Sequence, residues 1–225
     1  MATKWMYMRR DDWAADIEQR TRDVARAFTP GVPVQVLATS KSGAADIEFL
    51  RYFSPHVQLT MSAAKNVLIL HPSRDEMERL ADEGLPDHEV VVVINWFYLD
   101  PFTECWLQGI GATNLANSGQ SIPMASPVVT AALSSVANAR NPATGVSDGY
   151  GKDYAVNALR TLHAAGYDIV AAGLEQTAFG LGFSWSETKQ LREYADGVRA
   201  GKRYRLGVNE FKKNVLADWE AEATP

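Results

Sequence analysis

Three short polar stretches, each following an oily run, hold the residue types that bind small anions. Ser40, Lys41, Ser42 and Gly43 come after residues 33–39 (PVQVLAT), His71, Ser73, Arg74 and Asp75 after residues 66–70 (NVLIL), and Asn95, Trp96, Tyr98 and Asp100 after residues 89–94 (EVVVVI). The hydroxyls and ammonium of Ser40–Ser42, beside a flexible glycine that opens the next helix, suit a phosphate. Arg74 offers a planar anion clamp, and His71 with Asp75 has the makings of a base and its orienting carboxylate. Asn95, Trp96 and Asp100 form a polar and aromatic rim on which a flat ligand can stack. Each stretch also has a purely structural reading. Ser40–Gly43 is a polar turn capping a helix, Ser73 and Asp75 serve a helix start, and the aromatics plug the end of a sheet.

Several familiar chemistries lack their residues. The glycine spacing of a P-loop and the Gly-x-Gly-x-x-Gly fingerprint are missing, and there is no Gly-x-Ser-x-Gly elbow. One cysteine, Cys105, and the scattered His56, His71, His88 and His163 cannot build a cysteine-rich zinc site, so no metal is expected. Asp87-His88-Glu89 reads as a solvated turn rather than a ligand set. A single cysteine also excludes an intrachain disulfide.

The elements that would position these residues alternate. Residues 11–28 have the period of an amphipathic helix, with Trp13, Ile17, Val24 and Phe28 near one face. Strand 33–39, helix 44–53, a short strand 57–60, strand 66–70, helix 73–83, strand 89–95 and helix 101–108 follow. Strand, helix, strand in turn predict a mostly parallel, Rossmann-like α/β sheet, with a helical C-terminal section behind it. In such a sheet ligands bind beyond the C-terminal strand ends, which would gather the three loops at one edge. Ser73 with Glu76 and Ser184 with Glu187 have capping-box spacing. Residues 1–116 are read as the α/β core, 117–152 as a linker containing a small-residue helix at 128–139 and a flexible stretch at 141–151, and 153–225 as helices at 153–165, 169–179, 185–200 and 209–220.

The charge is unevenly spread. The net charge of −5 argues against a surface that grips nucleic acid or anionic lipid throughout, yet residues 189–213 hold 8 Lys/Arg against 3 Asp/Glu. Ala178, Gly182 and Ser184, ahead of a helix from Trp185, faintly resemble the spacing of a helix-turn-helix. Lys189 and Arg192 would lie on its second helix, with Arg199, Lys202, Arg203 and Arg205 behind to meet phosphates. Solvated charge on a packed helical subdomain explains the same residues. Trp185, Leu191, Tyr194 and Val198 form an apolar stripe, for internal packing or for a partner. The longest strongly apolar run, residues 90–99, is about half the roughly 20 residues of a membrane helix, residues 122–139 are long enough but rich in Ser, Ala and Pro, and the first ten residues lack a signal-peptide pattern, so a cytoplasmic protein without a membrane partner is expected.

The reading is a non-catalytic binding or regulatory protein with a small anionic ligand or a protein partner at the sheet edge, bound by Ser40, Lys41, Ser42, Arg74, Asp75, Asn95, Trp96 and Asp100. One alternative is an enzyme acting on a nucleotide or phosphorylated metabolite, with Asp75 or Asp100 as acid or base. The other is a DNA-binding regulator that uses the C-terminal helices. The sequence specifies no cofactor and no reaction.

Overall fold

The computed structural model describes residues 3–9, 16–38, 65–70, 72–83, 89–94, 100–116, 124–169, 172–207, 211 and 214–224. The chain divides into two compact units, Met1–Leu107 with Gly111–Gln120, and Gln108–Ile110 with Ser121–Pro225. The expected helix at 44–53 and strand at 57–60 lie outside the described residues, as do Ser40, Lys41, Ser42, His56, His71, His88, Asn95, Trp96 and Tyr98.

The first unit is a parallel α/β sheet. Its strands are β1 (Lys4–Met8), β2 (Val34–Ala38), β3 (Asn66–Leu70), β4 (Val90–Ile94) and β5 (Thr113–Asn114), in the order β2-β3-β4-β1-β5. Its helices are α1 (Ile17–Ala27), α2 (Arg74–Glu83) and α3 (Pro101–Gly109). Every pairing is parallel, and the rows run in step: Val36, Leu68, Val92 and Met6 stand side by side. Side chains alternate across a strand, so each row belongs to one face. Met6, Met8, Val36, Leu68, Val92 and Ile94 share a buried cluster with Val24 and Phe28, which puts α1 on that face. The opposite face carries Tyr7, Ile69 and Val93, all buried. There Trp5 meets Trp106 of α3 edge-on, with ring centroids 5.0 Å apart. A sheet covered on both faces explains why β3 and β4 read as unbroken hydrophobic runs.

Side-chain caps start α1 and α2, the latter where the sequence suggests, but α1 begins at Ile17 and not at residue 11. Asp16 caps α1 by accepting from the Gln19 N–H at 2.9 Å. Ser73 and Glu76 close a reciprocal box at the start of α2: Ser73 N donates to Glu76 Oε2 at 2.8 Å and Glu76 N to Ser73 Oγ at 3.3 Å. Two strands differ from the sequence expectation, which assigned none to residues 1–10 and none after 108. β1 stands between β4 and β5, and the short β5 borders it.

The second unit is helical, with α4 (Pro127–Ala139), α5 (Gly149–Ala164), α6 (Ala172–Gly180), α7 (Trp185–Arg199) and α8 (Val215–Glu222). Val129, Leu133, Leu159, Leu174, Leu191 and Trp219 join one buried core. Trp219 also donates its indole N–H to Ser135 Oγ at 3.0 Å. The Ser184–Glu187 box caps α7 in full. Trp185, Leu191, Tyr194 and Val198 are 0%, 0%, 5% and 8% exposed, so the stripe faces inward and is not a partner surface. No helix among the described residues is long and apolar enough to cross a membrane.

The stretch 141–151, read as flexible from its composition, is held by specific bonds. Asn141 and Gly145 form a backbone bridge, with Gly145 N donating to Asn141 O at 2.8 Å, and Asn141 Oδ1 accepts from Ala143 N at 2.8 Å. Asp148 caps α5, which begins at Gly149, four residues before the expected start. Tyr194 Oη donates to Val146 O at 3.1 Å. Burial pushes the Tyr194 hydroxyl up to about 12 from its ordinary 10, and Tyr204, Glu193, Asp148 and Asp153 add to the rise. The folded state thus favours the neutral phenol. Its contribution is whole below pH 10 and is lost as pH climbs toward 12. Alkaline melting curves should therefore fall more steeply between those values for the natural chain than for Tyr194→Phe, and equal slopes would remove the effect.

Candidate functional site

The strand order creates one switch point among the described strands. β1 and β4 are adjacent and parallel, with Met8 opposite Ile94 at their C-terminal ends. The chain leaving β1 reaches α1 on one face, and the chain leaving β4 reaches α3 on the other. Adjacent exits that part to opposite faces make these strand ends the place where ligands of open α/β sheets bind.

Four charged side chains pair up in the segments that follow the strand ends. Arg9 follows β1 directly and pairs with Glu104 in the first turn of α3. Arg74 opens α2, with its Nε 3.8 Å from Asp100 Oδ2 and its Cζ 5.4 Å from the centre of the Phe102 ring. Asp100 precedes α3, and its carbonyl accepts from Glu104 N at 3.0 Å. The Arg74–Asp100 separation is too long for a hydrogen bond. Asp100 Oδ2 is buried and has no hydrogen-bond partner among the described residues. Among the described residues this carboxylate oxygen lacks a donor, and desolvation makes a missing bond costly.

Of the residues singled out in the sequence, the structure brings Arg74 and Asp100 together. Asp75, one position along, is exposed in the first turn of α2. Ser40, Lys41, Ser42, Asn95 and Trp96 lie outside the described residues. Arg9 and Glu104 were missed. In the sequence Glu104 belongs only to a covering helix, and Arg9 gains its place only once residues 4–8 are known to be a strand.

The C-terminal residues are also placed. α6 ends at Gly180, Gly182 turns with φ 76°, and α7 follows from Trp185, so two helices do meet at a tight glycine turn. The charges along them are locally balanced. Arg192 pairs with the buried Glu175 at 2.9 Å, and Arg199 lies 3.9 Å from Asp196. Lys202 sits 5.1 Å from the Tyr204 ring centre, while Lys189 and Arg203 are exposed. Thr188, where such motifs often have an apolar residue, is fully buried.

A family model described as a domain of unknown function (DUF1889) matches residues 125–220, a stretch inside the second unit. No curated protein and no solved structure matches the chain.

Proposed function

We propose that the chain is a binding protein whose first unit takes a small, hydroxylated anionic ligand at the C-terminal ends of β1 and β4. Arg74 would meet the anionic group and Asp100 would accept from a ligand hydroxyl. The observation that carries this reading is the buried Asp100 Oδ2, without a hydrogen-bond partner among the described residues, beside a guanidinium at the switch point. A ligand hydroxyl would satisfy an oxygen that the described protein groups leave bare, and an anion would share Arg74 with Asp100. The ligand class is that of sugar phosphates and nucleoside monophosphates.

The test is a thermal shift with adenosine monophosphate and ribose 5-phosphate, since binding to the folded state raises Tm. Both the rise and the absence of product formation are expected. Arg74→Ala should abolish the rise, and Asp100→Asn should weaken binding about tenfold, the loss of one charge-assisted bond. Both side chains are partly exposed, so neither change should unfold the unit. No shift with either probe would end the reading. Turnover that disappears in Asp100→Asn would replace it with the enzymatic alternative. The duplex-DNA alternative draws less support, because the exposed side of α7 sets Glu193 and Asp196 among Lys189, Arg192 and Arg199. Phosphate-binding surfaces need an unbalanced positive field.

A further inference from the structure

A second opening lies in the helical unit, away from any residue the sequence suggested for ligands. It is a cleft of about 700 Å³ between the α4–α5 loop and the first turn of α7, lined by Arg140, Asn141, Thr144, Gly145, Ser186 and Glu187 among others. That volume is in the range of small-molecule sites.

Arg140 is held rigidly at its wall. Its Nε donates to Ala137 O at 3.1 Å, and its Nη1 donates to Gly182 O at 2.8 Å and to Glu187 Oε2 at 3.3 Å. The guanidinium lies 4.8 Å from the centre of the buried Phe183 ring. Three of the five N–H groups are thereby used, and the two on Nη2 have no acceptor among the described residues. The acceptors of the cleft, by contrast, are largely occupied. Glu187 Oε2 also takes the Ser184 N–H at 2.9 Å, and Asn141 Oδ1 takes Ala143 N. Glu187 Oε1 is covered by Gly145, where an added Cβ would lie 2.3 Å away. What remains among the described residues is donors: Arg140 Nη2, Asn141 Nδ2 and the exposed hydroxyl of Thr144, while the Ser186 hydroxyl lies 3.1 Å from Ser184 Oγ.

We propose that this cleft binds a small hydroxylated carboxylate, a sugar acid or hydroxy acid, through Arg140 Nη2 and Asn141 Nδ2. A monoanion fits better than a phosphate dianion because Glu187 already balances Arg140, so every negative charge brought in faces that carboxylate and two cost more than one. Arginine immobilised on an aromatic ring and by two carbonyls loses little freedom on binding. The proposal concerns the second unit and stands independently of the reading at Asp100.

The experiment is a titration of the ¹⁵N-labelled full chain with gluconate, with sorbitol as the uncharged match and inorganic phosphate as the dianion. Saturable shifts are expected at the amides of Asn141, Gly145 and Ser186, with gluconate bound at least about tenfold tighter than either control. Arg140→Lys should weaken gluconate about tenfold, because an ammonium cannot hold the two carbonyls and also present a spare edge. Asn141→Asp keeps the acceptor for Ala143 N, removes the Nδ2 donors, and should weaken gluconate by at least as much, which preserves the test if Arg140→Lys does not fold. Equal shifts with gluconate and sorbitol, tighter phosphate, shifts without saturation, shifts centred on Arg74 and Asp100, or undiminished binding by Asn141→Asp would each overturn the proposal.

Discussion

Gly151→Ala is expected to destabilise the helical unit by about 3 kcal/mol, the upper end of the cost of overfilling a packed site. A Cβ at this position would lie 2.1 Å from the carbonyl oxygen of Gly145, 3.2 Å from its carbon and 3.4 Å from Asn141 N. All three are backbone atoms, and they cannot swing aside as a long side chain would. Gly145 is itself fixed by its bridge to Asn141, by a φ of 57° and by Glu187 against its α-carbon. The sign is informative, because alanine in a helix ordinarily gains up to about 1 kcal/mol over glycine. Gly201→Ala supplies the control: its φ is 71° with nothing within 4 Å of the added carbon, so it should cost about 1 kcal/mol for the left-handed backbone alone. Urea unfolding, followed by the transition that the second unit reports, separates the two variants. A neutral or stabilising Gly151→Ala would mean that the 141–151 loop does not close on the start of α5.

That loop illustrates what a sequence hides. Asn-Pro-Ala-Thr-Gly reads as flexible because the groups that hold it are distant: Tyr194 bonds Val146 from 48 positions away, and Glu187 reaches Arg140 across 47. The capping boxes at Ser73 and Ser184 were legible because both partners lie within four residues. β2, β3 and β4 were legible for a related reason, since strands buried on both faces show unbroken apolar runs whatever their neighbours. β1 was not. Lys4-Trp5-Met6-Tyr7-Met8 contains no β-branched residue and opens on a lysine, so the strand signal rests on Trp5 and Tyr7 alone even though the segment lies between β4 and β5. β5, with two residues, is too short to carry a pattern. The order β2-β3-β4-β1-β5 depends on pairing between distant segments, which no local window records. The candidate site inherits this division. Arg74 and Asp100 followed from strands that could be read, whereas Arg9 and Glu104 depended on the unread one.

Asn66→Asp should be the most damaging single change in the sheet unit, at about 3 kcal/mol or more near neutral pH. Asn66 is fully buried at the start of β3, paired in register with Val34 on one side and Val90 on the other. Its side chain fastens the turn between α1 and β2. Nδ2 donates to Thr29 O at 3.1 Å and to Val32 O at 3.2 Å, and Oδ1 accepts from Thr29 N at 3.2 Å. The substitution keeps the shape and the acceptor but removes both donors, and it turns a buried carboxylate toward two part-buried carbonyl oxygens. Burial and those oxygens would favour the protonated acid in the folded state, so the deficit should be largest above the raised folded-state titration. It should shrink as pH falls toward about 4, where the unfolded carboxyl also takes up its proton. Asn66→Leu loses all three bonds without adding a charge and should show a deficit of similar origin that does not vary with pH. Denaturant midpoints of both variants across the acid range measure the contrast. A pH-independent loss in Asn66→Asp would mean that Nδ2 does not hold the carbonyls of Thr29 and Val32, and that packing alone fixes the entry into β2.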